Sequence, residues 1–469
     1  MTFALLIFST YLLGTIAIGL WAARRGKGDE EDYFLAGRGL SAVSMALSAV
    51  SSGRSAWLIV SASAAAWYSG LSGVWIFPGY ITVEALLFVT VGPRLRRRSA
   101  EVGAITLSEA ISGMLPASKY PIRALAGVLT ILFLLTYVSA QLGAGAKTIG
   151  VVFDIDGATW GLVITAAIVL VYTVLGGYRA VVMTDVVQAI LMLCGMIALP
   201  LLGLSRVGGF GPLATRLEAI DPALLSWTSS SWGILGGLCI GFGSLGNPHI
   251  LVRHMSLGDP SKARIAMATG TFWNVVMAAG AFLLGLVGRA LYPDLEALGG
   301  ERELLFATVA TDLSQQYLFT GFVGLLLATL FAAIMSTCDS QLLVVAASFL
   351  RDFRSKEGGG GLLSSRIVVL ATLVGAVALS YGDIPVINNL VLLSWGVLGL
   401  TFGPVILFLL YDRRTSAAGV FFGVLTGALS SSAAWFFFAR PAGKSLSYQL
   451  IPAFVLTCFV LFGLRRKDD

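Results

Sequence analysis

The chain has 469 residues, of which 57% are hydrophobic and 12% charged, with a mean hydropathy of +0.87 and a formal net charge of +6. A soluble globular domain needs a far more polar surface, so that class is excluded. The basic residues are spread over many short loops and form no single patch, which excludes a nucleic-acid-binding protein.

Long apolar runs separated by short charged loops predict an all-α integral membrane protein that crosses the bilayer many times. The runs are too uniformly apolar for the alternating strands of a barrel. The first run has no basic lead-in and no small-residue cleavage site, so we expect a retained helix. Thirteen spans are predicted, near residues 2–23, 41–66, 71–93, 122–149, 157–176, 183–205, 229–252, 264–291, 318–349, 364–382, 388–411, 415–438 and 447–464.

The distribution of basic residues predicts the orientation of these spans. Most of the 31 lysine and arginine residues fall in loops on one side, and such loops face the cytoplasm. We therefore expect the N-terminus outside, the C-terminus in the cytoplasm, and the chain in the cell's inner (plasma) membrane. Arg54 is an exception because it lies inside a span, far from either end.

Two spans contain interruptions that favour a transporter. The second span contains SSGRS at 51–55, and the seventh contains GFGSLGNPH at 241–249. Counted from the second span, these are the first and sixth helices, so they correspond in two groups of five. Paired interruptions are typical of inverted-repeat transporters, whose ions and solute bind near the membrane midplane. The alternative is that glycine is simply common in membrane helices.

Four segments carry a resemblance to a known family: DYFLAGRGL at 32–40, YTVLGGYRAVVMTDVVQAILM at 172–192, GNPHILVRHM at 246–255 and FAAIMSTCDSQLLVVAASFLRDF at 331–353. In this order and spacing the chain resembles the sodium:solute symporter family over nearly its whole length, most closely its sodium/proline symporter branch. The resemblance implies a LeuT-type fold built on a 5+5 inverted repeat.

The same resemblance implies four divisions of the chain. They are an extra N-terminal helix with a cytoplasmic loop at 1–40, five-helix repeats at 41–206 and 207–411, and two C-terminal helices with a short cytoplasmic tail at 412–469. Ten core helices, one before them and two after them match the thirteen predicted spans.

Sodium requires hard oxygen ligands that helix geometry holds in place, because water is absent from the hydrocarbon. Ser336 and Ser340 are four residues apart on one helix face, and Thr337 is adjacent. Such hydroxyls can instead bond the backbone of their own helix. The family resemblance implies a sodium site with five oxygen ligands. Two are the hydroxyls of Ser336 and Thr337, and three are the backbone carbonyls of Ser51, Arg54 and Ala333.

Three acids need an explanation within the apolar spans. Asp185 matches an acid that lies on the inner sodium path or at a second sodium site in the family, although it could also cap the start of its helix. Asp339, beside Ser340, requires a cation or an ion pair, and we place both residues on the inner ion path. Glu84 raises the same requirement.

The chain departs from the sodium/proline branch at two positions. Those relatives have an aspartate, which is important for their sodium binding, and then a methionine, where this chain has Gly53 and Arg54. Three roles are open for Arg54: an ion pair in a buried network with Glu84 and Asp339, a receptor for a substrate carboxylate, or a fixed cation that replaces sodium.

An apolar pocket with a few amide and hydroxyl groups is expected for the solute, and it suits a small zwitterion or a monocarboxylate. Aromatic residues in membrane helices are also common packing residues. The candidate solute-binding residues project from the helices that line the family's cavity: Ser55, Trp57, Phe77, Tyr137, Gln141, Ser244 and Asn247.

The sequence thus predicts a secondary active transporter that brings a small organic solute into the cell with sodium, the solute being an amino acid such as proline or a monocarboxylate. The alternatives are a sodium-independent or proton-coupled carrier that uses Arg54 as its cation, and a solute receptor that does not transport. The expected partners are the solute, Na⁺ and the lipid bilayer. No nucleophile–base pair or phosphate loop indicates an enzyme.

Overall fold

The computed structural model describes residues 2–24, 29–115, 119–173, 177–316, 320–353, 362–381, 387–412, 414–439 and 447–466. Within these ranges the chain forms helices and loops, and its only β-type pairing is a single bridge between Leu40 and Leu257. The predicted all-α class is confirmed. Residues 174–176 of the segment 172–192 lie outside the described residues.

The described α-helices are numbered in chain order. They are α1 Thr2–Ala23, α2 Glu30–Leu35, α3 Ala42–Trp57, α4 Ser63–Ser69, α5 Ile76–Leu86, α6 Gly92–Glu101, α7 Leu107–Gly113, α8 Lys119–Phe153, α9 Leu162–Thr173, α10 Tyr178–Val207, α11 Phe210–Ile220, α12 Ser231–Cys239, α13 Pro248–Met255, α14 Ala263–Leu291, α15 Leu305–Gln316, α16 Thr320–Arg351, α17 Leu362–Ser380, α18 Ile387–Tyr411, α19 Ala417–Ala434 and α20 Ser447–Gly463. Short 3₁₀ and π turns extend or join several of them.

Each predicted span coincides with one helix or with consecutive helices. Judged by length and apolarity within the described ranges, eight helices can cross a membrane, or nine if the bent pair Ser231–Leu245 and Pro248–Met255 forms one span. One of the eight, Ala42–Glu101, has 60 residues and contains the second and third predicted spans. A multi-pass membrane protein is therefore confirmed, whereas the count of thirteen crossings stays a prediction.

The centre of the bundle is α16, which packs against α1, α3, α8, α10 and α17. Most of its side chains are buried, including the hydroxyl and carboxyl groups of its middle turns. Around it, α14 packs against α3 and α10, and α18 packs against α8 and α19. A helix enclosed on all sides can hold polar groups in fixed positions away from lipid, which suits an ion site.

Helices α5 and α12 approach each other so closely that only glycine fits at Gly79. A Cβ atom there would overlap the Cα and carbonyl oxygen of Leu238. We expect Gly79→Ala to lower the unfolding free energy by about 1–3 kcal/mol, because backbone atoms cannot move aside as a side chain does. Thermal unfolding of the purified protein in detergent measures this.

The control for that substitution is Gly14→Ala in α1, where nothing lies within 4 Å of the added methyl group. Its melting temperature should stay unchanged or rise slightly, because alanine favours the helix. Equal melting temperatures for Gly79→Ala and Gly14→Ala would contradict the close approach of α5 and α12.

The loop between α1 and α3 is bound to the ends of several helices by a buried arginine. Arg38, which is 8% exposed, pairs with Glu31 at 2.5 Å and donates to the Ser99 hydroxyl at 3.0 Å. It also donates to the carbonyl oxygens of Met255 and Ala104, at 3.2 and 2.5 Å. The guanidinium therefore connects this loop to α6, α7 and α13, which gives the segment DYFLAGRGL a structural role.

Asp352, just beyond α16, predicts a pH dependence of stability. Burial raises the pKa of this carboxyl from 3.8 to about 7, although it accepts a hydrogen bond from Thr106 at 2.6 Å. The folded state therefore holds the proton more tightly than the unfolded chain, and stability falls as pH rises from about 4 to 7. Asp352→Asn should remove this loss, which is on the order of 4 kcal/mol.

Melting temperatures across that pH range test this prediction. The melting temperature of Asp352→Asn should rise relative to that of the wild type as the pH increases, and the difference should stop growing above pH 7. Parallel curves for the two proteins would contradict the prediction.

Candidate ion and solute site

The first predicted interruption is present as a break in α3. Ser55 has φ 49° and ψ −173°, a conformation that side-chain-bearing residues rarely adopt. The helix continues beyond it through the π turn Leu58–Ala62 into α4. A break of this kind leaves backbone groups free of the regular helical pattern, and ions and solutes can then bind them.

The second predicted interruption lies between α12 and α13. Residues Ile240–Leu245 form a 3₁₀ turn, and the two halves of the span are bent by 53°. Asn247 donates to the carbonyl of Gly243 at 2.7 Å and to that of Trp395 at 3.4 Å. The Trp395 indole in turn donates to the Ile240 carbonyl at 2.9 Å. Hydrogen bonds from Asn247 and Trp395 therefore join this break to α18.

The predicted sodium ligands lie where α16 meets the break in α3. The Thr337 hydroxyl donates to the carbonyls of Ser52 and Ala333, both at 3.0 Å. The Ser336 hydroxyl donates to the Ala333 carbonyl at 3.1 Å. All these residues are fully buried, as is Ser51, whose hydroxyl bonds the Ser48 carbonyl at 3.2 Å. The α3 carbonyl in contact with α16 is that of Ser52, next to the Ser51 carbonyl that the sequence predicted.

Arg54 pairs with Glu84 of α5, which is the first of the three roles left open for it. Its Nη2 pairs with Glu84, and both side chains are buried, at 2% and 0% exposure. Its Nε donates to Asn274 Oδ1 at 3.0 Å, and the Asn274 amide also donates to Glu84. The guanidinium lies over the ring of Tyr80. The sequence reading missed Asn274 and Tyr80, although an asparagine inside the apolar α14 was a visible signal.

Asp339 does not join Arg54 and Glu84, and that part of the predicted network is wrong. Its Oδ1 accepts a hydrogen bond from Thr173 of α9 at 2.5 Å, and its Oδ2 has no partner among the described residues. The reason is helical geometry. Asp339 is two residues beyond Thr337, about 200° around the helix, so it faces away from α3.

A second buried ion pair joins Asp185 to Arg253. Arg253 Nη2 lies 2.9 Å from Asp185 Oδ2, and Nε donates to the Ser48 hydroxyl at 2.7 Å. Arg253 also donates to the Ser340 hydroxyl and to the His249 carbonyl. Asp185 and Ser340 thus lie in one cluster that contacts α3, α10, α13 and α16, close to the predicted sodium ligands on the same helices.

Two expectations about this cluster were wrong. The seventh predicted span ends at residue 252 and leaves Arg253 in the following loop, but α13 continues to Met255 and the guanidinium is fully buried. Asp185 was also considered as a helix cap, but α10 begins at Tyr178 with Gly177 as its N-cap, so Asp185 lies two turns inside the helix. The missed signal for Arg253 was its position four residues after His249, on the same face of a short helix.

A cavity of about 10 Å³ lies beside the break, close to the minimum volume that holds one water molecule. Of the seven predicted solute residues, Trp57 and Tyr137 line it, and the Tyr137 hydroxyl is 3.3 Å from that of Ser55. The other lining residues are Gly53, Arg54, Tyr80, Ile240, Val391, Leu392 and Trp395. The cavity therefore adjoins the side chain of Arg54 and is otherwise mainly aromatic and aliphatic.

The remaining predicted solute residues are buried but do not line this cavity. Gln141 accepts a hydrogen bond from the Ala56 backbone N–H at 2.9 Å, which steadies the break. The Ser244 hydroxyl has no partner among the described residues, and Asn247 holds the second break. Phe77 packs edge-on against Phe282. For Phe77, the contacts indicate packing.

Two broken helices beside a buried, charge-bearing cavity define a helical secondary transporter. The chain belongs to the sodium:solute symporter family, since the model described as "Sodium:solute symporter family" matches residues 33–427. A "Sodium/proline symporter" of Staphylococcus aureus (strain JH9) is 31% identical over 474 residues, covering 97% of this chain and 91% of the relative.

Two solved structures share the fold. A Na⁺-coupled sialic acid symporter in a substrate-bound outward-open state has a TM-score of 0.78 and 18% identity, covering 98% of this chain and 96% of that one. MhsT in complex with L-phenylalanine has a TM-score of 0.60 and 16% identity, covering 90% and 98%. The resemblance to LeuT-type transporters is confirmed. The chain is a sodium-coupled symporter of a small solute and not an enzyme.

Proposed function

We propose that the protein carries a small organic solute into the cell with sodium, by alternating access around the breaks in α3 and α12–α13. The observation that carries this proposal is the Thr337 hydroxyl, which lies between carbonyls of two helices at the first break. Sodium would bind the Thr337 hydroxyl and the Ala333 carbonyl in place of the hydrogen bond between them. Its proposed ligands are the carbonyls of Ser51, Arg54 and Ala333 and the hydroxyls of Ser336 and Thr337.

The arrangement of charges supports sodium over a fixed internal cation. Arg54 is paired with Glu84, so the guanidinium and carboxylate together add no net charge beside the sodium site. A side chain at Gly53 would begin 3.6 Å from Glu84 Oε1. Glu84 therefore lies close to the position where the sodium/proline branch has its aspartate, and Arg54 balances its charge there.

The transport cycle follows from the size of the cavity. A space of about 10 Å³ has to widen to admit any solute, so binding requires movement of the surrounding helices. In the proposed cycle the repeats 41–206 and 207–411 move against each other, with the N-terminus outside and the C-terminus in the cytoplasm. Asp185, Asp339 and Ser340 would lie on the inner path by which sodium leaves.

Purified protein in liposomes, with sodium and proton gradients imposed separately, tests this function. Uptake of a labelled solute from a panel of amino acids and monocarboxylates should require the sodium gradient. Uptake driven equally well without sodium would refute sodium coupling and favour the carrier that uses Arg54 as its cation. Binding without uptake under either gradient would favour a receptor.

A further inference from the structure

We propose that the solute is a small monocarboxylate whose carboxylate group binds the free edge of the Arg54 guanidinium. This inference rests on the proposed function and names the class of its solute. It depends on three observations: unused donors on Arg54, an unpartnered hydroxyl beside it, and the absence of an acid among the described residues that line the cavity.

Arg54 has more hydrogen-bond donors than its protein partners use. A guanidinium carries five N–H groups in a planar fork. Two of its nitrogens are engaged, Nε by Asn274 and Nη2 by Glu84, while Nη1 donates to no residue in the described part of the chain. Because Arg54 lines the cavity, a carboxylate there can accept hydrogen bonds from its free edge.

Tyr80 provides a second, independent donor. It lines the same cavity, is 3% exposed, and its hydroxyl has no partner within the described ranges. A buried hydroxyl without a partner costs free energy that a ligand oxygen can recover. Since the Arg54 guanidinium lies over the Tyr80 ring, both donors belong to one side of the cavity.

The rest of the lining favours an anion over a zwitterion. Among the described residues that line the cavity, Arg54 carries the only charge; the nearby Glu84 is outside the lining and is already paired with Arg54 and Asn274. The other side chains offer aromatic and aliphatic surface, chiefly from Trp57, Tyr137, Ile240 and Trp395. A carboxylate on a short apolar body matches these groups.

Charge balance then links the solute to sodium. The Arg54–Glu84 pair is neutral, so a bound monocarboxylate adds one negative charge to a buried site. A sodium ion at the Arg54 carbonyl would neutralise that charge within the same turn of α3. We therefore expect each ligand to strengthen the binding of the other, and uptake of one anion with one sodium ion to be electroneutral.

The test uses the full chain in liposomes under an inward sodium gradient, with labelled propionate, pyruvate and benzoate and with L-proline as the zwitterion. At least one monocarboxylate should enter at a rate at least tenfold that of L-proline. Its rate should be insensitive to an imposed membrane potential. Sodium-driven uptake of L-proline without any monocarboxylate would overturn the inference while leaving the proposed function intact. Uptake that ignores sodium would instead refute the proposed function.

Variants separate recognition from folding. In Arg54→Gln/Glu84→Gln both charges are removed together, so no buried ion is left unpaired. This double variant should raise the monocarboxylate KM about 10- to 100-fold, and Tyr80→Phe should raise it by a smaller factor. The control is Arg206→Gln, which removes an arginine paired with Asp312 at 2.5 Å and absent from the cavity lining. Unchanged KM in the double variant would overturn the inference.

Discussion

Replacing Thr337 by valine is expected to raise the sodium concentration for half-maximal uptake about tenfold or more, because a hydrogen-bonding partner of a charged group contributes about 1.5–3 kcal/mol. Valine keeps the shape of threonine but removes the hydroxyl that connects the Ser52 and Ala333 carbonyls. Initial rates of solute uptake at graded sodium concentrations measure the effect.

The matched control is Thr329→Val, eight residues earlier in α16. Thr329 is also fully buried, and its hydroxyl bonds the carbonyls of Leu191 and Leu325 at 3.3 and 3.0 Å. Thr329→Val removes similar hydrogen bonds to helix carbonyls but no proposed sodium ligand. The sodium dependence of uptake should therefore be unchanged. If both variants shift the sodium dependence equally, Thr337 is not a specific ligand.

Removing Glu84 alone should destabilise the protein by about 3–5 kcal/mol, since the buried guanidinium of Arg54 would lose its counter-charge. Glu84→Leu is therefore expected to unfold at a clearly lower temperature in detergent. Adding Arg54→Met should restore most of the loss, because no buried charge then remains and apolar side chains fill similar volume. The double-mutant cycle gives the coupling free energy between the two residues.

An exposed ion pair serves as the control for this cycle. Arg98 and Glu101 lie 3.1 Å apart with more than half of each side chain exposed, so Glu101→Gln should change stability by at most about 1 kcal/mol. If Arg54→Met fails to rescue Glu84→Leu, the pair is not the source of the stabilisation.

The two helix breaks could be predicted from sequence because their signals are local. Glycine beside a charge in SSGRS, and glycine beside proline in GFGSLGNPH, disfavour a continuous helix whatever surrounds them. The residues proposed as sodium ligands were also accessible, since hydroxyls on adjacent turns of α16 mark a polar face and the family motif gives their partners.

The polar partners that come from other helices were not accessible in the same way. Asn274 joins Arg54 and Glu84 only because α14 packs against α3 and α5, a contact that no spacing along the chain encodes. The predicted span stopped before Arg253 because hydropathy falls at the first charged residue. In the structure, the buried Asp185 of α10 pairs with Arg253, and α13 continues to Met255. Asp339 was an avoidable error, because helical periodicity turns it away from Thr337.

The cavity beside Arg54 also limits how fast the protein can work. An opening with room for about one water molecule offers no continuous column along which hydrated ions could diffuse. Every sodium ion must lose its hydration shell and wait for the helices to rearrange. Flux through this molecule is therefore limited by the rate of its conformational cycle, far below the throughput of an open pore.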